Sequence, residues 1–157
     1  MNQDAKHILD AALRDALPGA AVGQALDQIV FQPGGRLILV AAGKAAWEMA
    51  RAAHERIDAG VVVTKYDYSR GPLGSLEIYE AGHPVPDENS YRATARALEV
   101  VSGLTEADSV LFLLSGGGSA LFEQPLIPAD ELADITRQLL ACGANIVEIN
   151  TLRQRLS

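Results

Sequence analysis

The chain is predicted to fold as a three-layer α/β structure, a mostly parallel sheet with helices on both faces. Three observations carry that expectation. Compact apolar runs of strand length occur at residues 36–42, 61–64 and 109–114, the mark of strands buried on both sides. Stretches with apolar residues at helical spacing alternate with them. Polar or glycine-rich clusters (Gly43-Lys44, Lys65, Gly82-His83 and residues 115–119) each follow a strand, where parallel sheets bind their ligands.

Taken in order, Ile8, Leu9, Ala12, Leu13, Ala16 and Leu17 fall on one helical face over residues 4–17, and Pro18-Gly19 stops the pattern. A shorter helix over residues 22–30 ends at Pro33-Gly34-Gly35. The first strand, residues 36–42, turns through Gly43-Lys44 into a helix reaching about residue 57. Residues 61–64 form a second strand and 76–81 a third, with a Gly/Pro/Ser-rich loop between them. The segment Gly82-His83-Pro84-Val85-Pro86-Asp87 is a restricted loop leading to a helix over 88–101. A fourth strand at 109–114 and helices near 129–141 and 145–156 complete the chain. This is a Rossmann-like order of elements, with no internal repeat and no low-complexity linker. Helical periodicity continues through Leu152, Arg153 and Leu156 without a capping Gly or Pro, so the pattern reads as cut within a larger protein.

Bulk composition narrows the function. At 157 residues and 48% hydrophobic content the chain can bury a real core. A formal net charge of −7 without a basic cluster argues against nucleic acid and against anionic membrane as partners. The N-terminus has no signal-peptide pattern and no apolar run approaches ~20 residues, which places the protein in the cytoplasm. The single cysteine, Cys142, sits in an apolar helical pattern and reads as a buried structural thiol.

The most telling stretch is Leu113-Leu114-Ser115-Gly116-Gly117-Gly118-Ser119-Ala120-Leu121. Glycines permit positive φ and close approach of a ligand to the backbone, and Ser115 and Ser119 add hydroxyls. Strand, glycine loop and helix together describe a phosphate or carboxylate site, set against the plainer reading of a tight turn. Gly43-Lys44 is not a Walker loop: Ile38 stands where the first glycine belongs and Ala45 follows the lysine. Nor does the triple glycine complete a dinucleotide fingerprint, since Leu121 follows Ala120.

Candidate site residues follow. Lys44 in the first turn of a helix opposes the dipole and can reach an anion as a point charge, or lie on the surface. His83, between Gly82 and Pro84, can bind a substrate oxygen, move a proton, or bond to backbone. Asp87 and Glu88 read first as helix caps, with metal binding as the alternative. Glu148, Asn150 and Arg153 lie on one helix, with Asn150 and Arg153 sharing a face, and on their own they read as a solvated surface. Trp47, Phe112 and Phe122 read as core, and no cluster has the spacing of a structural metal site.

Four ordered blocks together resemble the N-terminal domain of glycerate 2-kinases that carry a C-terminal MOFRL domain. They are Gly43-Lys44-Ala45-Ala46 with Met49-Ala50, the run from Gly82 to Ser90, the run from Leu114 to Leu121, and the run from Gly143 to Arg153. The resemblance implies ATP-dependent phosphorylation of D-glycerate at the 2-hydroxyl, with Mg²⁺ as the usual ion. It implies Lys44 and Arg153 as catalytic-site residues, with Arg153 clamping the glycerate carboxylate. Ser115, Gly116, Gly117, Gly118 and Ser119 would line the site, and His83, Glu148 and Asn150 would border it. Metal ligands stay unassigned. Members typically carry a basic pair where Gln154-Arg155 stands, then continue into a Lys-Gly-Gly segment and a second domain. On that pattern residues 1–157 hold half a cleft and no turnover of their own.

Relatives of that family are often labelled hydroxypyruvate reductase. An NAD(P)H enzyme is disfavoured by the missing fingerprint and by Val63-Thr64-Lys65 where an acidic residue would end the second strand. A non-catalytic module binding a sugar acid or phosphate is a further reading, and a homodimer through surface that a second domain would cover is another.

Overall fold

The computed structural model describes residues 2–157. Its elements are α1 (Gln3–Asp15), α2 (Pro18–Gln28), β1 (Leu37–Ala42), α3 (Ala46–Ala53) continued by a 3-10 turn (His54–Arg56), β2 (Ala59–Lys65) and β3 (Leu76–Ala81). Then come α4 (Glu88–Val100), β4 (Ser109–Leu114), the single turn α5 (Gly118–Leu121), α6 (Ala129–Ala141) and α7 (Ile146–Arg153). All strand pairs are parallel, in the order β3-β2-β1-β4. The chain steps outward from β1 through β2 to β3, then returns to the opposite side of β1 as β4. The order reverses between β1 and β4, and it is in the crevice beyond the carboxyl ends at such a reversal that open parallel sheets bind their ligands.

Every residue of β1 is buried because both its faces are covered. Leu37, Leu39 and Ala41 pack with Val22 and Leu26 of α2 and with Trp47, Met49 and Ala50 of α3. Val40 faces the other way, with Val61 and Val63 of β2, Ala93 and Ala97 of α4 and Leu121. This is the expected three-layer α/β arrangement. Among the described residues no helix is long and apolar enough to cross a membrane.

Several expectations are corrected. Pro18 begins α2 rather than only stopping α1, because the first helical residue needs no N–H partner and its φ already suits a helix. The last helix ends at Arg153, three residues short of the expected 156. β4 is covered on one face only: Leu111 and Leu113 join the α2–α3 core, while Val110, Phe112 and Leu114 are 45%, 49% and 63% exposed. The reason is placement, since α4 lies over β2 and β3. Phe112 is therefore half-exposed, with its ring edge-on to Phe122 at 5.7 Å between centroids. Cys142 is exposed: it caps the end of α6, and its thiol donates to the Leu139 carbonyl at 3.3 Å.

Candidate functional site

The β1 and β4 loops are built against each other at the crevice. Gly43 has φ +118°, and a Cβ there would meet the Ser115 hydroxyl and lie 2.5 Å from its carbonyl oxygen. Only glycine lets the two loops approach this closely. The Lys44 N–H donates to the Gly116 carbonyl at 3.0 Å, and the Ala45 N–H donates to Ser115 Oγ at 3.0 Å. Ser115 N–H donates to the Ala42 carbonyl at 2.9 Å. Ser115 thus pins the lysine turn, while the amides of Gly116 and Gly117 take no part in these bonds.

The three glycines differ in what they do. Gly117 has φ +86°, a conformation other residues rarely adopt. A Cβ on Gly118 would strike Leu114 Cδ1 at 2.5 Å, whereas one on Gly116 would meet nothing within 4 Å. Gly118 therefore serves packing, Gly117 the turn, and Gly116 leaves open space on the crevice side. α5 is one turn of helix, so its dipole adds little and the loop itself carries the donors.

Each strand delivers a group to this place. Lys44 follows β1 and is exposed; Lys65 is the last residue of β2; His83 follows β3. The position a Cβ on Gly117 would take is 2.8 Å from His83 Nε2 and 3.4 Å from Lys44 Cε, so imidazole, lysine and glycine loop adjoin one another. The 82–87 loop is held by Asp87, which caps α4 by accepting from Ser90 N–H at 3.1 Å. Its carboxylate also accepts from the Tyr66 hydroxyl at 2.8 Å. Burial alone would raise the Asp87 pKa, but bonds from Tyr66, the Gly82 N–H and Ser90 outweigh it and keep the carboxyl below its ordinary value. The capping reading of Asp87 is the one the structure shows.

Burial lowers the His83 pKa, and the positive charges of Lys44, Lys65 and Arg153 lower it further. A lowered value favours the neutral imidazole at pH 7, whose lone pair can accept a hydrogen bond. An NMR titration of His83 should give a midpoint below the ordinary 6.5, and Lys44→Met should raise it by removing a neighbouring charge. A midpoint at or above the ordinary value would contradict this arrangement. Since the unfolded chain binds the proton more readily, this group's contribution to stability is present above pH 6.5 and falls as pH drops through the folded value.

The remaining sequence candidates divide. Asn150 and Arg153 line a cavity of about 220 Å³ together with Ser119, Phe122, Glu123 and Gln154, so α7 does reach the end of the glycine loop. Arg153 is buried: its guanidinium donates to Glu123 Oε2 at 2.6 Å and to the Ser119 carbonyl at 3.2 Å. The group that the resemblance assigns to a substrate carboxylate already faces a carboxylate of the chain. Glu148 is exposed and closes a capping box, accepting from the Asn145 N–H at 2.9 Å; it does not line the cavity. Glu123 was not singled out by the sequence, where one glutamate after Phe122 carries no periodic or motif signal.

On a protein of net charge −7, the charges of Lys44 and Lys65 act on His83, and the Ser115 hydroxyl and the glycine loop adjoin the Lys44 turn. That donor set suits phosphate or carboxylate oxygens.

Comparison with known proteins supplies the context. A family model described as a domain of unknown function, DUF4147, matches residues 4–157. A D-glycerate 2-kinase of Thermotoga maritima is 52% identical over 96% of this chain, which spans 37% of that relative. A putative hydroxypyruvate reductase of Agrobacterium vitis is 43% identical over 97% of this chain and 35% of its own length. A crystal structure of glycerate kinase from Thermotoga maritima superposes with a TM-score of 0.85 at 52% identity, covering 98% of this chain and 38% of that one. The chain thus spans little more than a third of these relatives.

Proposed function

This chain belongs to the DUF4147 family, and we propose that it forms the phosphoryl-receiving part of a cytoplasmic glycerate 2-kinase. The reaction is ATP-dependent phosphorylation of D-glycerate to 2-phosphoglycerate. The observation that carries this reading is the meeting of Lys44, His83 and the 115–119 loop at the reversal of strand order, on a chain 52% identical to a D-glycerate 2-kinase. Residues 1–157 act as an N-terminal domain, and a second, MOFRL-type domain completes the cleft, so this part alone lacks turnover.

ATP supplies the transferable phosphoryl group when bound, and Mg²⁺ offsets its charge. Among the described residues no three His, Cys, Asp or Glu side chains are grouped to hold a metal ion, and no ligand of this chain is assigned to Mg²⁺. Transfer of this kind rests on positioning and charge stabilisation. Lys44 balances negative charge as it spreads over the transferring oxygens. The amides of Gly116 and Gly117 and the hydroxyls of Ser115 and Ser119 hold those oxygens in place. Neutral His83 accepts a hydrogen bond from the substrate hydroxyl and fixes its direction.

ADP release by the complete protein tests the reading against its rival. Release that requires both ATP and D-glycerate is expected. Oxidation of NADH by hydroxypyruvate, with no ADP formed, would overturn the kinase reading in favour of the reductase name of the Agrobacterium vitis relative.

A further inference from the structure

Among the described residues, Glu123 and Arg153 are the only charged residues buried as a whole, and they face each other. Their side chains are 3% and 10% exposed, with the guanidinium 2.6 Å from the carboxylate. The same guanidinium nitrogen donates to the Ser119 carbonyl at 3.2 Å, just past the three glycines. Glu123 is itself anchored on the other side: its N–H donates to Thr94 Oγ1 at 2.9 Å, and the Thr94 hydroxyl donates to the Ser90 carbonyl of α4 at 2.9 Å. A continuous set of contacts therefore runs from α4 through Glu123 and Arg153 of α7 to the end of the glycine loop.

This arrangement is poorly suited to stability alone. Burying an ion pair brings a desolvation penalty that apolar residues of similar volume avoid. Here Arg153 Nε is also buried without a hydrogen-bond partner, a further cost of desolvation. A local violation of this kind marks a place where geometry matters more than folding energy.

We propose that Glu123 is a positioning residue: its carboxylate sets the Arg153 guanidinium against the Ser119 carbonyl, and this contact fixes the 115–119 loop in its anion-receiving shape. Arg153 then acts on the loop through Ser119 instead of clamping a substrate carboxylate. The consequence for catalysis rests on the kinase reading; the ordering of the loop does not.

Glu123→Gln, Arg153→Lys and the double variant of the complete protein test it. Hydrogen exchange of the amides bonded within or onto the loop, those of Ser115, Lys44 and Ala45, should speed up about 10-fold or more in each single variant, while protection in β1, β2 and β3 is retained. The turnover number kcat should fall about 10²-fold, as expected for a slightly misplaced loop, with KM for ATP changed less. The double variant should be no slower than the slower single one, because both act through one contact. Unchanged loop exchange together with unchanged kcat would overturn the proposal, as would loss of protection spread evenly over the sheet. Arg153→Lys keeps the buried charge and decides the matter if Glu123→Gln does not fold. If the unaltered protein forms no ADP, the kinase reading fails while the exchange data still judge the latch.

Discussion

Lys44→Met in the complete protein is expected to lower kcat by about 10³-fold, the scale seen when one preorganised charge at a transition state is removed. That loss corresponds to about 4 kcal/mol of barrier. The lysine is exposed and its backbone, not its side chain, makes the bonds to Gly116 and Thr64. Its removal should therefore leave folding stability within about 0.5 kcal/mol. The pair of results separates catalysis from folding: a steep fall in kcat with an unchanged denaturation midpoint. A variant that keeps a third or more of the original kcat would show that the β1 turn lies away from the reacting oxygens. Lys44→Arg should recover little, because a planar fork does not replace a compact point charge.

Gly43→Ala should be among the most damaging single substitutions in the chain for stability. Its φ of +118° is one that alanine rarely adopts, and its new methyl would enter the Ser115 hydroxyl and carbonyl. Backbone strain of 1–3 kcal/mol and overpacking of similar size combine to about 3 kcal/mol, or a fall in melting temperature of about 10 °C for a domain of this size. The parallel register Ala42↔Leu114 brings these two turns together, so relief requires pushing β4 from β1 or opening the bond from Ala45 N–H to Ser115. Activity should fall with stability for that reason. Gly116→Ala is the control, since no heavy atom lies within 4 Å of the added carbon; its stability should stay close to that of the original. Equal melting curves for Gly43→Ala and the unaltered protein would contradict the described contact between the loops.

Much of this was legible because it depends on local pattern. The apolar runs place β1 and β4, and the third strand spans Leu76–Ala81 as read. The glycines that follow β1 and β4 announce turns, and Asp87 before a helical stretch announces a cap. What escaped depends on which elements meet. Nothing in the sequence sets β4 beside β1, yet that pairing makes one site of Gly43-Lys44 and the 115–119 loop. The open face of β4 follows from where α4 crosses the sheet, and alternation in Val110, Phe112 and Leu114 carries no sign of it because all three are apolar. Cys142 reads as buried but is exposed for a related reason: apolar spacing in α6 gives its face but not how far the helix end projects into solvent. From the sequence Arg153 reads as a surface or substrate group, because its partner, Glu123, lies 30 residues away in the chain and belongs to no motif.

The most direct test of the central claim is the identity of the product. The complete protein is incubated with MgATP and D-glycerate, and the product is assigned by mass spectrometry and ³¹P NMR. Glycerate carrying one phosphoryl group on the 2-hydroxyl is the expected product, formed by the unaltered protein and almost absent with Lys44→Met. Folded protein that forms no phosphorylated glycerate would contradict the assignment of this crevice to phosphoryl transfer.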